Sequence, residues 1–148
     1  MSLRTINCIL VAAIATLSHC TPDPGDDPIP YVPFSEILIN LNLPAYVALK
    51  TNGGSMAIDG GVRGIILYRV DATTYLAYER NCSFQPNEAC STVDVHISNL
   101  YMFDSCCGSS FDFANGFPLG GAAWRPLRQY RTSVNSELLS ITDEIVNQ

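Results

Sequence analysis

Four cysteines, Cys82, Cys90, Cys106 and Cys107, fall in two turn-rich loops that read Asn81-Cys82-Ser83-Phe84-Gln85-Pro86-Asn87-Glu88-Ala89-Cys90 and Asp104-Ser105-Cys106-Cys107-Gly108-Ser109-Ser110-Phe111. An even set of cysteines in an exported chain is first of all a disulfide framework; in a reducing compartment the same residues point to metal or catalysis. The compartment therefore decides how the loops are read, and the N-terminus speaks to it. Met-Ser-Leu-Arg precedes a run that is apolar from Ile6 to Leu17 except for Asn7 and Thr16, and the run leads to Cys20. Such a run is too short to span a bilayer comfortably and is a secretory leader.

Leu17-Ser18-His19-Cys20 resembles the lipobox of bacterial lipoproteins, in which a Leu and a small residue precede a cysteine that becomes the diacylated N-terminus. His19 departs from the usual Gly or Ala. The resemblance implies a signal peptide over 1–19, lipidation of Cys20, and residence at the outer membrane or the periplasmic face, with membrane lipid as the partner of the acyl anchor. Cleavage after Ala13-Ile14-Ala15 is the competing outcome and would give a soluble periplasmic protein. Arg4 is the one charged residue before Cys20, so the mature chain is one unit more acidic than the full-length net charge of −6. That surface excludes nucleic acid and a polybasic membrane patch as expected partners.

The stretch 20–33 is rich in proline and aspartate and offers no helical or strand period, so it is expected to be a semi-rigid tether. The folded unit is then 34–148, one domain without an internal repeat. Within it, Ile37, Ile39, Leu41 and Leu43 recur at period two up to Pro44. A helical turn is expected over Ala45 to Leu49, and glycine-based turns at Asn52-Gly53-Gly54 and Gly60-Gly61. Further strands are expected over Ser55 to Ile58, Val62 to Val70, Thr74 to Arg80, Val93 to Ile97, Tyr101 to Phe103, Ser110 to Phe113, Leu127 to Thr132 and Glu137 to Ile141. Val93, Val95 and Ile97 are placed on one face of their strand, with Asp94, His96 and Ser98 on the solvated one. No sustained helical stripe occurs, so the fold class is mainly antiparallel β.

Cys106-Cys107-Gly108-Ser109-Ser110-Phe111, followed by Gly121-Ala122-Ala123-Trp124-Arg125-Pro126-Leu127-Arg128-Gln129-Tyr130, resembles the second cluster loop and the proline loop of Rieske domains. The strands from Gly61 to Arg80 stand where that family has the hairpin entering the first loop, and the resemblance runs from Leu43 to Ile141. It implies a Rieske-like antiparallel β-sandwich with a small cluster-binding-type subdomain formed by two hairpin loops, 81–90 and 104–111. In that family each loop supplies one cysteine and one histidine to a [2Fe-2S] cluster. Here the four ligand positions fall on Cys82, Phe84, Asp104 and Cys107. Phe84 has no lone pair, and Asp104 offers a hard oxygen donor where iron-sulfur chemistry takes thiolate. His96 is the one histidine left after residue 19, whereas a Rieske centre needs two imidazoles on one iron. No cofactor, no metal and no catalytic residue is therefore expected, with an electron-carrying [2Fe-2S] protein of unusual ligation as the alternative.

The respiratory members of the family carry a disulfide between their two loops, and Cys90 and Cys106 fall at those positions. Cys82 and Cys107, freed of a ligand role, face each other across the former cluster cavity and are candidates for a second bridge. Each bridge closes a loop worth roughly 3 kcal/mol in the chain-entropy model. Zinc on four cysteines is disfavoured by the spacing, and a dithiol switch by the lack of a Cys-x-x-Cys motif. Ser109 and Gly108 are read as turn formers, Asp104 as a turn cap, His96 as a solvated surface residue, and Trp124 with Arg125 as a packed lid in preference to a contact point. Together these features describe a membrane-anchored, disulfide-stapled structural or binding module with an envelope protein as its expected macromolecular partner.

Overall fold

The computed structural model describes Gly25 and residues 27–147; the leader and Cys20 lie outside the described residues. Among the described residues, ten strands form two antiparallel sheets. In the larger sheet the order is β1-β10-β9-β4-β3-β2, comprising Ile37–Asn40, Leu138–Ile145, Gln129–Asn135, Tyr75–Glu79, Ile65–Arg69 and Ser55–Ile58. The smaller sheet has the order β5-β6-β7-β8, comprising Val93–Val95, Met102–Asp104, Ser109–Phe111 and Pro118–Gly120. A 3-10 helix over Pro44–Lys50 supplies the expected helical turn and buries Leu49. This is the mainly antiparallel β class that the strand pattern called for, with a small subdomain carrying the two cysteine loops.

β3 and β4 stand between two cores. Ile65, Leu67, Tyr75 and Ala77 join Ile39, Leu41, Leu139 and Ile141 in a first core, while Ile66 and Tyr78 point the other way into a second core with Val93, Met102, Phe111 and Leu127. A strand covered on both faces reads as a continuous apolar run rather than an alternating one, as Ile65-Ile66-Leu67 does. The hairpin joining β3 to β4 is set by Asp71, whose Oδ1 accepts the backbone N–H groups of Thr73 and Thr74, both at 2.8 Å. Those hydrogen bonds also hold the Asp71 carboxyl below its ordinary pKa.

At the end of β4 the fully buried Glu79 carboxylate organises the entry to the first cysteine loop. It accepts Val62 N–H at 2.8 Å, Arg63 N–H at 3.0 Å, Asn81 N–H at 2.9 Å and the Tyr130 hydroxyl at 2.8 Å. Burial and the Glu79 carboxylate together raise the Tyr130 phenol above its ordinary pKa. Gly61 makes this turn possible in two ways: its φ is +60°, and a Cβ there would lie 2.1 Å from Glu79 Oε2 and 2.9 Å from the Tyr130 oxygen. Gly61→Ala should therefore cost about 3 kcal/mol, combining left-handed strain with displacement of the carboxylate. Urea unfolding checks this, and a loss under 1 kcal/mol would contradict it.

Three expectations differ from the structure. β5 ends at Val95, so Ile97 does not continue the buried face of Val93 and is 92% exposed in the following turn. Leu43 is likewise exposed, because the chain has left β1 at Asn40 and is entering the 3-10 helix. The proline-rich stretch does not stand free along its described part. Arg128 donates from Nη2 to Ile29 O at 3.0 Å and from Nη1 to Pro30 O, Arg125 Nη2 donates to Gly25 O at 2.7 Å, and the Tyr31 hydroxyl donates to Asp143 at 2.7 Å. A chain without ladder partners presents free carbonyls, and guanidinium groups from the domain take them up.

Candidate functional site

The first loop leaves β4 through Asn81, which bridges to Thr92 and so brings the loop back on itself. Arg63 pins its far side, donating to Asn81 Oδ1 at 2.5 Å, Glu88 O at 2.6 Å and Ala89 O at 2.7 Å. Within the loop the Ser91 hydroxyl donates to Phe84 O at 3.1 Å. The second loop is the β6–β7 turn, in register with Asp104 opposite Ser109. Asp104 Oδ1 accepts Cys106 N–H at 2.8 Å and Asp104 O accepts Gly108 N–H at 2.9 Å. Gly108 takes a φ of +71° that closes the turn. Asp104 thus caps its turn as expected.

A disulfide joins Cys90 to Cys106, with Cα atoms 5.5 Å apart, and ties the rims of the two loops together. Cys82 and Cys107 remain unbridged thiols with their sulfurs 3.8 Å apart, so the second bridge considered from the sequence is not formed. Cys107 Sγ also stands 3.5 Å from Asp104 Oδ2 and 3.1 Å from the Ser109 hydroxyl. Cys82, Asp104 and Ser109 are buried, whereas Cys107 is half-buried and gives the group a face toward solvent. Burial pushes the Cys82 thiol pKa up, and the neighbouring Asp104 pushes it further.

A third loop closes the group. Ala123 N–H donates to Ser109 Oγ at 2.9 Å, the Ser83 hydroxyl donates to Arg125 O at 2.6 Å, and Arg125 Nη2 returns a bond to Ser83 O at 2.6 Å. Gly121, with φ +94°, permits the approach, since a Cβ there would come within 2.4 Å of Ser109 Cα. Trp124 does not pack as a lid: it is 62% exposed, with the Arg125 guanidinium 5.1 Å from its ring centre.

Of the four inferred ligand positions, the fold brings Cys82, Asp104 and Cys107 together, their donor atoms all within 4.8 Å of one another. At the fourth, the Phe84 ring packs against the second core. His96 lies elsewhere, in the turn after β5, where it stacks on Tyr101 with ring centres 4.3 Å apart and hydrogen-bonds Ser98 at 2.9 Å. It is half-buried rather than freely solvated, and it faces no other ligand-type side chain of the loop group. Sequence reasoning treated Ser109 as a turn former; its buried hydroxyl instead links Cys107 to the third loop. The one available signal was its place between Cys107 and a buried aromatic. A Rieske cluster requires two thiolates on one iron and two imidazoles on the other. Two thiols, a carboxylate and a phenyl ring do not fit that group.

Neither a family model nor a curated protein matches the chain. Among solved structures the chain is similar to one described as a complex of reduced oxygenase and oxidized ferredoxin in carbazole 1,9a-dioxygenase, with 19% identity, 66% of this chain and 87% of that chain covered, and a TM-score of 0.48.

Proposed function

We propose that this chain is an exported, lipid-anchored protein in which a Rieske-like scaffold works without its [2Fe-2S] cluster, as a disulfide-stapled structural or binding module of the cell envelope. The donor set carries this reading: the loops present two thiols and a carboxylate, while Phe84 fills a histidine position with carbon. The Cys90–Cys106 bridge supports the stapled part of the reading, because it clamps the two loops to each other. Leu17-Ser18-His19-Cys20 supports the anchor, and the acidic surface supports an envelope protein, not nucleic acid, as the partner.

Intact mass spectrometry and visible absorption of protein extracted from native membranes test the reading together. The expected result is a chain beginning at Cys20, heavier by a diacylglyceryl group and further N-acylation, carrying one disulfide and lacking iron-sulfur absorbance. Recovery in the soluble periplasmic fraction without acyl mass would overturn the anchor. An iron-sulfur spectrum would overturn the cluster-free module in favour of an electron carrier with unusual ligands.

A further inference from the structure

The geometry points to a mononuclear zinc-type site formed by Cys82 Sγ, Cys107 Sγ and Asp104 Oδ2, with the fourth position open to solvent on the Cys107 side. This inference rests on the cluster-free reading above and goes beyond it, because the spacing argument from the sequence addressed only a site made of four cysteines. A tetrahedral ion with bonds of about 2.3 Å to sulfur and about 2.0 Å to oxygen sets two sulfurs about 3.8 Å apart and a sulfur about 3.5 Å from the oxygen. The Cys82–Cys107 sulfur separation is 3.8 Å, and Cys107 Sγ lies 3.5 Å from Asp104 Oδ2. Two of the three donor separations thus match a coordination tetrahedron, and the third, from Cys82 Sγ to the Asp104 carboxylate, is within 4.8 Å.

Charge makes the same case independently. Asp104 is 0% exposed, and among the described residues no Lys, Arg or His side chain pairs with it; the ion pairs join Arg80 to Asp94 and Arg131 to Glu144. A buried carboxylate without a countercharge is costly, and a divalent cation removes that cost. The two carboxylate oxygens are already divided between tasks. Oδ1 takes Cys106 N–H and fixes the group's orientation, while Oδ2 faces the Cys107 sulfur. On binding, each thiol gives its proton to solvent and its sulfur lone pair to the ion, so two protons leave for each cation bound and no electron is transferred. Thiolate pairs with one carboxylate suit zinc-class ions better than magnesium or calcium, which take oxygen ligands. Three protein ligands and an open fourth position also distinguish this site from the closed tetrahedra of structural zinc.

The test uses the full mature chain with the Cys90–Cys106 bridge intact, stripped by chelator and titrated with zinc alone against a competing chelator. Cobalt substitution is followed by absorption. One zinc per chain is expected, with thiolate-to-cobalt charge-transfer bands and tetrahedral d–d bands. Cys107→Ser should weaken zinc binding at least 100-fold, and Asp104→Asn at least 10-fold, with the near-ultraviolet circular dichroism of the apo forms unchanged. Cys107 is the first choice because it is half-buried, so its serine variant keeps the fold; Cys82→Ser serves as the second variant. Zinc uptake equal in wild type and Cys107→Ser, or cobalt bands without thiolate character, would overturn the site. Iron with stoichiometric inorganic sulfide in native protein would instead refute the cluster-free reading. Protein with neither iron nor zinc affinity, or with Cys82 and Cys107 oxidised to each other in native material, would overturn this inference alone.

Discussion

Glu79→Ala should lower the unfolding free energy by about 4 kcal/mol, because it strips the acceptor from three backbone N–H groups and one phenol that the fold keeps from water. Val62 and Arg63 belong to the turn that enters β3 and Asn81 to the loop that leaves β4, so the carboxylate is the point where the larger sheet is tied to the first cysteine loop. Glu79→Gln should cost less, about 2 kcal/mol, since its carbonyl still accepts while its amide turns donors toward donors. Tyr130→Phe removes a single donor and should cost about 1 kcal/mol. Guanidinium unfolding of the three variants checks the order. A Glu79→Ala loss below that of Tyr130→Phe would contradict the account, since the backbone donors would then have found other acceptors.

The Cys90→Ser/Cys106→Ser pair should lose about 3 kcal/mol, the chain-entropy value for a loop of this size. The bridge spans a sequence separation of 16, and both cysteines are exposed, so serine at either position meets no packing penalty. Arg63 holds the first loop from the opposite side, and the Asp104 turn is closed by its own hydrogen bonds. Each loop should keep its internal shape while the distance between loops varies. Because the chain-entropy cost lies in the unfolded chain, hydrogen exchange should rise in β3 and β4 through global unfolding as well as at Gly108 through local opening, with unchanged exchange in β3 and β4 as the contrary result.

The strands were legible where side chains alternate or run apolar. Ser55–Ile58 agrees to the residue, and β3 and β4 agree within three at each end. β8, Pro118–Gly120, was invisible because it offers one apolar side chain between a proline and a glycine, and its pairing with β7 is irregular. β9 and β10 run longer than read, to Asn135 and Ile145, since a two-residue turn at Ser136-Glu137 lacks the glycine that marks such turns; Ser136 instead takes φ +55° itself. At the site, the resemblance to Rieske loops placed Phe84 at a position where it could not ligate and set Cys90 near Cys106 and Cys82 near Cys107, whereas the residues alone left three pairings open. What they could not show was that Cys82 and Cys107 stop at contact distance instead of bonding, or that Ser109 and Gly121 bring a third loop onto them. Arg128 and Arg125 were equally silent, because their partners are backbone carbonyls of a distant stretch and leave no pattern in composition.

Electron paramagnetic resonance of native, anaerobically isolated protein after dithionite reduction, with iron and acid-labile sulfide counted on the same sample, addresses the central claim most directly. A silent spectrum with iron and sulfide far below one per chain is predicted, since Cys82, Asp104 and Cys107 supply no imidazole to a second iron. A rhombic [2Fe-2S] signal showing nitrogen coupling, at two irons and two sulfides per chain as a Rieske centre requires, would contradict it.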